Sequence, residues 1–165
     1  ILELPLFVAI GAIGGLCGAL FNAANTRLSK WRKTHIAGSR RLRFLEVILV
    51  TVTIASFHFA VPNLRGQGPS IADIDTFTQT EYLFWAPGGE SIKSLFHSPH
   101  SFDPGLLSFF LLTYYILACW TYGLAVPSGL FVPSLLTGAA FGRLFGQVVH
   151  DVSGQRSADP GIYAL

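Results

Sequence analysis

The hydrophobic pattern divides the chain into four long apolar stretches that alternate with more polar segments. The stretches cover about residues 5–28, 42–61, 105–126 and 129–150. Each approaches the roughly 20 residues that an α-helix needs to cross the hydrocarbon core of a bilayer. The pattern therefore predicts an all-α, multi-pass integral membrane protein, with a single membrane domain over residues 1–165.

The segment between the second and third stretches, residues 63–104, is polar and punctuated by Gly and Pro. Its apolar run Ile92–Phe96 is too short to span a membrane and predicts a brief helix at the interface. The nearby Phe84 and Trp85 are expected to act as interfacial anchors, since aromatic side chains favour the headgroup level. We interpret the whole segment as a lumenal or extracellular loop.

Charge is sparse and unevenly distributed along the chain. Charged residues make up 12% of the sequence and hydrophobic residues 51%, whereas soluble domains carry roughly 25% charged residues. Most of the basic residues share one stretch: Arg27, Lys30, Arg32, Lys33, Arg40, Arg41 and Arg43. The positive-inside rule places this basic segment in the cytoplasm and the acid-rich loop 63–104 on the other side. Nucleic-acid binding is the alternative, but the apolar stretches on both sides argue against it, and no nucleic-acid partner is expected.

Ionisable residues inside the apolar stretches are the first candidates for chemistry. Glu46 and His58 lie in the second stretch, where an ionisable residue is a functional candidate. For Glu46 the favoured explanation is pairing with Arg43, about one turn away, or snorkelling towards the interface. Cys17 and Cys119 lie in apolar runs and are expected to be small buried hydrophobes. No nucleophile–base grouping or metal-ligand spacing indicates an enzyme, so neither a cofactor nor a metal is expected.

The junction between the third and fourth stretches breaks the helical pattern at membrane depth. The residues Val126–Gly129 (VPSG) disfavour helix, and Pro133 fits the first turn of the helix that follows. The first N–H groups of that helix have no intrahelical acceptor and carry the positive end of the helix dipole. Such a start can bind an anion without a full positive charge. An ordinary Pro/Gly hairpin between two membrane helices is the alternative.

This junction also resembles a known family. The run GLFVP, Gly129–Pro133, matches the GxFxP signature of the CLC chloride channel and transporter family. The longer run SGLFVPSLLTGAAFGRLFG is similar to the late-endosomal and lysosomal branch of that family. Four more segments resemble the branch in the same order: IGGLCGALFNAANTRL (Ile13–Leu28), SLFHSP (Ser94–Pro99), LACWTYG (Leu117–Gly123) and the final ADPGIYAL.

The resemblance implies a partial CLC fold with broken or re-entrant membrane helices, from helix J through helix N into the start of helix O in the family's lettering. The chloride-binding segment would consist of Gly129, Leu130, Phe131, Val132 and Pro133. Within it, the backbone amides of Leu130 and Phe131 would hold the ion. Arg143 would be structural, capping carbonyls or pairing at the cytoplasmic side.

Other functional parts of the family are expected outside this chain. These are its serine motif, its gating and proton-transfer glutamates, its chloride-binding tyrosine and its CBS domains. The run Gly66–Pro69 (GQGP) resembles the gating motif only superficially, because it has no glutamate. His97 and His100 are expected to be ordinary loop histidines.

The resemblance further implies chloride transport by the intact protein, most simply chloride/proton exchange in a late-endosomal, lysosomal or vacuolar membrane. The expected partners are chloride, protons, the lipid bilayer, a second copy in a homodimer and a single-pass accessory subunit. A chloride channel of the same family is one alternative. Another is a truncated assembly subunit that binds other membrane proteins through the GxxxG pairs Gly11–Gly15 and Gly14–Gly18.

Overall fold

The computed structural model describes residues 4–64, 83–85, 88–97, 102–152 and 162–164. The elements are α1 (Leu4–His35), α2 (Arg40–Leu64), α3 (Gly88–His97), α4 (Pro104–Thr121), α5 (Phe131–Val152) and a 3₁₀ turn (Ile162–Ala164). Every regular element in these ranges is helical, which confirms the predicted all-α class. The GQGP run, His100 and most of the 63–104 loop lie outside the described residues.

Among the described residues, three helices are long and apolar enough to cross a membrane. They are α1, the part of α2 from Arg40 to Asn63, and α4. The fourth predicted span, α5, is not among them. It carries Arg143 and Gln147, whose side chains are buried against protein. Because α5 is covered by other elements, much of its surface does not face lipid and need not be apolar.

The helix ends differ from the limits of the apolar stretches. Helix α1 continues past Leu28 to His35, because residues 29–35 contain no Gly or Pro and favour helix once it has started. Helix α4 ends at Thr121, before the apolar stretch does. Its end coincides with Gly123, whose φ of 89° is incompatible with a continuing right-handed helix. The pattern of apolar residues thus locates these helices but not their ends.

Helix α2 runs through Pro62, where the sequence predicts its end. A proline in a helix lacks the N–H that would bond to the carbonyl four residues earlier, here that of His58. The indole Nε1 of Trp85 donates to the His58 carbonyl at 2.7 Å and replaces the missing bond. Trp85 is therefore half-buried, and Phe84 beside it is buried. Phe84 thus packs inside the protein instead of acting as an interfacial anchor, whereas the interfacial position of Trp85 stays a prediction.

Helix α4 has a well-defined start. Pro104 is its first residue, and the carboxylate of Asp103 accepts hydrogen bonds from the backbone N–H groups of Gly105 at 3.4 Å and Leu106 at 3.2 Å. A side chain in this capping position satisfies donors that have no partner inside the helix. The predicted brief helix at Ile92–Phe96 is present as α3.

The main core lies where α3, α4, α5 and the 3₁₀ turn meet. Its largest fully buried side chains are Leu95 of α3 and Leu106, Leu107 and Phe110 of α4. Gly142 of α5 lies against the 3₁₀ turn, where a Cβ would overlap the carbonyl oxygen of Tyr163. Helices α1 and α2 bury far less of their surface within the chain. The core therefore fixes α5 against α4, and α5 begins at the candidate site.

Candidate anion site

The site is built around the chain segment that connects α4 to α5. After α4 the chain turns at Gly123, where the amide of Tyr122 donates to the Ala118 carbonyl at 3.0 Å. Extended and bent backbone then leads to Leu130. The structure thus contains the predicted helix break, and α4 and α5 are separate helices rather than one kinked helix.

Helix α5 begins as the sequence predicts. Phe131 is its first residue and Pro133 its third. The first intrahelical bond runs from the Ser134 amide to the Leu130 carbonyl at 3.0 Å. Proline has no N–H, and the amides of Phe131 and Val132 have no acceptor within the helix. These amides carry the positive end of the helix dipole, which favours an anion.

A cavity of about 210 Å³ lies at this helix start. Its walls come from α2 through Ile54 and His58, from α4 through Tyr114 and Thr121, and from the connecting segment. None of the residues that line it, all within the described ranges, is Lys, Arg, Asp or Glu. Apart from the imidazole of His58, the lining therefore offers an anion only backbone and side-chain dipoles.

The five predicted chloride-binding residues occupy different positions around this cavity. Gly129, Leu130 and Pro133 line it. The side chains of Phe131 and Val132 do not, and they are 78% and 46% exposed. Their contribution to an anion site would therefore come from the backbone. A Cβ on Gly129 would meet no atom within 4 Å, so the space beside its backbone is open.

The sequence did not identify the cavity residues contributed by α2 and α4. Tyr114 and Thr121 lie in a continuous apolar run, and nothing in the pattern sets them apart. His58 was a candidate because it is ionisable, and its place in the cavity wall adds geometric support to that prediction. The missing information was the position of α2 across the cavity from the start of α5, which depends on tertiary structure.

A second polar group holds the other end of the connecting segment. Arg32 of α1 is 6% exposed and donates to the carbonyls of Trp120 at 2.6 Å and Tyr122 at 3.0 Å. Its Nε also bonds to the Glu46 carboxylate at 2.6 Å. The predicted pairing of Glu46 with Arg43 is wrong, because the Glu46 carboxylate pairs with Arg32 of α1 instead.

Arg143 caps a carbonyl, as predicted, but at the other end of the bundle. Its Nη1 donates to the Leu95 carbonyl at 2.7 Å, and its guanidinium lies 5.3 Å from the centre of the Phe102 ring. Leu95 belongs to α3 and Phe102 lies just before α4, whereas Arg32 of the basic segment contacts the end of α4. If the basic segment is cytoplasmic, Arg143 is near the opposite side, so the two predicted cytoplasmic positions do not agree with each other.

The remaining candidates give no further site. Within the described residues, no three His, Cys, Asp or Glu side chains are grouped as metal ligands. Both cysteines are free thiols. Cys119 is half-buried, but Cys17 is exposed, contrary to the expectation that both are buried. Space is likewise open beside the glycines of the two GxxxG pairs, where an added Cβ would meet no described atom within 4 Å.

Comparison with protein-family models matches residues 1–165 to the voltage gated chloride channel family. Among curated proteins, the chain is 41% identical over 178 residues to the H(+)/Cl(-) exchange transporter 7 of Homo sapiens and to that of Bos taurus. It is 32% identical over 192 residues to the chloride channel protein CLC-d of Arabidopsis thaliana. Each alignment covers 99% of this chain, but only 22% of the transporters and 24% of CLC-d.

Proposed function

The chain belongs to the voltage gated chloride channel family, and on this premise we propose that the start of α5 binds chloride in a protein that exchanges chloride for protons. The ion would be held by the backbone amides of Leu130, Phe131 and Val132. Gly129 and Pro133 would shape the approach. The proton-coupled activity is that of the whole protein, since this chain spans about 22% of the length of the exchange transporters it matches.

The observation that carries the proposal is the cavity at the start of α5. It combines helix amides without intrahelical acceptors and a lining without Lys or Arg. Weak dipolar binding suits transport, because a permeating ion must leave as readily as it enters. A buried cation would hold chloride more tightly and slow its release.

Exchange rather than channel activity is supported by the printed names of the relatives. The mammalian relatives at 41% identity are called H(+)/Cl(-) exchange transporters. Relatives at 32–33% identity in Arabidopsis thaliana and Dictyostelium discoideum are called chloride channel proteins, which keeps a channel as the second candidate. We further propose a homodimer in an acidic organelle membrane, with the basic segment on the cytoplasmic side.

The function can be tested by proton movement driven by a chloride gradient. The full-length protein is placed in liposomes that contain little chloride, and the external medium is made rich in chloride and slightly more acidic. An exchanger lets chloride enter while protons leave against their gradient, so the interior becomes more alkaline. The internal pH is followed with a trapped dye, and valinomycin with potassium prevents a membrane potential from building up.

Each other outcome has a separate meaning. Chloride entry without alkalinisation would make the protein a channel, because a channel carries no protons outward. Absence of anion flux from a folded, monodisperse sample would contradict transport and favour the assembly-subunit alternative. Protein-free liposomes under the same gradients provide the leak control.

A further inference from the structure

The end of α4 is held by a polar cluster on α1 and α2 in which Arg32 is buried and the others are half-buried. We name it the α4 clamp: Asn25, Ser29, Arg32 and Glu46. We propose that the α4 clamp positions the start of α5 for anion binding, so that Arg32 and Asn25 are positioning residues for the chloride site. The inference rests on the proposed function above, because it concerns the affinity of the same site. Neither residue lines the cavity itself.

The contacts of Arg32 are directed at the last turn of α4. Two of its nitrogens donate to the carbonyls of Trp120 and Tyr122, and the third donates to Glu46. The side chains of this ion pair are 7% and 12% exposed. A guanidinium with three directed bonds in a buried setting has little freedom to move. Arg32 thus fixes the end of α4 relative to both α1 and α2.

Asn25 completes the capping of α4 from about two turns before Arg32 on α1. Its Nδ2 donates to the carbonyls of Tyr122 at 2.8 Å and Cys119 at 3.2 Å. Its Oδ1 accepts a hydrogen bond from the Ser29 hydroxyl at 3.4 Å. The last carbonyls of a helix have no partner inside it, and away from water they must be satisfied by other groups. The α4 clamp supplies those partners.

The backbone of the connecting segment starts directly on the α4 clamp. A Cβ on Gly123 would lie 3.2 Å from the Ser29 hydroxyl and 3.4 Å from Nη1 of Arg32. The positive φ of Gly123 turns the chain at this contact and directs it back towards α5. The position of the clamp therefore decides where the segment begins, and its other end carries Gly129 and Leu130.

The α4 clamp also offsets the partial negative charge that the end of α4 places beside the cavity. Tyr122, at the end of α4, lines the same cavity as Gly129 and Leu130. The carbonyl end of a helix is partially negative and would repel an anion held nearby. Donors from Asn25 and Arg32 offset that charge, while Glu46 balances the guanidinium. The cavity is thus left with the positive end of α5 and no strong opposing dipole.

The experiment measures chloride affinity in the full-length protein by calorimetry. In Arg32→Gln, two capping bonds are weakened and Glu46 loses its partner, so the Kd for chloride is expected to rise about tenfold. In Asn25→Ala, with no change in charge, the rise is expected to be about threefold. The double variant Arg32→Gln/Glu46→Gln, which removes the unpaired carboxylate, is expected to regain part of the loss.

Matched controls separate positioning from general effects of charge and polarity. Lys33→Gln removes one exposed positive charge beside Arg32, and Asn22→Ala removes one exposed amide a turn before Asn25. Both controls are expected to keep the Kd within about twofold of the original value, since neither side chain makes a hydrogen bond or ion pair to α4 among the described residues. Melting temperature and monodispersity are recorded for every variant.

A purely structural role would reduce the yield of folded protein and leave the Kd of the folded fraction unchanged, and that result would overturn the inference. If Arg32→Gln does not fold, the chloride Kd of Asn25→Ala provides the test. Weakened binding in Gly129→Ala together with normal binding in both clamp variants would reject the clamp and keep the chloride site. Normal binding in all three variants would reject the chloride site itself, and the clamp proposal with it.

Discussion

Replacing Gly142 by alanine is expected to prevent the 3₁₀ turn from packing against α5 and so to destabilise the folded protein. The added Cβ would overlap the carbonyl oxygen of Tyr163 and approach the Cα of Ala164. Both obstacles are backbone, so neither can move aside as a flexible side chain would. Overpacking a well-packed site costs about 1–3 kcal/mol, and this contact should reach about 3 kcal/mol or more. The measurement is the yield and melting temperature of the purified full-length protein.

The matched control for this substitution is Gly138→Ala, one turn earlier on the same helix. A Cβ there would meet no atom within 4 Å. Alanine is favoured over glycine inside a helix by up to about 1 kcal/mol, so this variant should be unchanged or slightly more stable. Equal stability of the two variants would show that the 3₁₀ turn does not pack against α5 in the way described.

Replacing Phe110 by alanine is expected to loosen the contact between α4 and its neighbours. Its side chain is fully buried, and its ring lies 5.1 Å from that of Phe84 and 5.3 Å from that of Tyr114, measured between centroids. Truncating a buried Phe costs about 3–5 kcal/mol in soluble proteins. In a membrane the loss is chiefly of packing, so we expect about 3 kcal/mol, measured as a lower unfolding midpoint in denaturant.

The neighbouring residue offers the control. Phe109 is 43% exposed, and its ring centroid lies 6.0 Å from that of Phe57. Phe109→Ala is expected to cost roughly 1 kcal/mol or less, because nearly half of the side chain is exposed and its truncation removes much less packing than at Phe110. A loss at Phe109 as large as that at Phe110 would mean that the buried face of α4 has been assigned wrongly.

The sequence predicted the helices well because apolar length determines them. All four apolar stretches contain a helix, and the short run Ile92–Phe96 lies within α3. The number of membrane spans was less predictable. Helix α5 resembles a span in length, but its buried Arg143 and Gln147 reflect contact with protein, which a single sequence does not reveal.

Features that depend on distant partners could not be predicted. Pro62 indicates a helix end by itself, and only the Trp85 indole, far along the chain, allows α2 to continue. The sequence predicts that Glu46 pairs with Arg43, a nearby basic residue, whereas in the structure its carboxylate pairs with Arg32. In both cases a local rule was overridden by a tertiary hydrogen bond.

The candidate site likewise combines features that a local pattern predicts with features that depend on distant contacts. The GLFVP run predicted the helix start, since proline and glycine have strong local preferences. The cavity wall from α2 and α4 and the α4 clamp were missed, because the residues that form them carry no distinctive local pattern. Helix geometry alone predicts that the ligand is an anion, and the family resemblance identifies that anion as chloride.

The most direct test of the central claim is chloride binding to Gly129→Ala in the purified full-length protein, measured by calorimetry beside Gly138→Ala. Gly123 is the described glycine with a positive φ, so alanine at position 129 is not strained, and its Cβ would enter open space. The methyl group would obstruct the approach to the amides of α5, and the chloride Kd is expected to rise about tenfold with folding unchanged. An unchanged Kd in folded Gly129→Ala would contradict a chloride site at the start of α5.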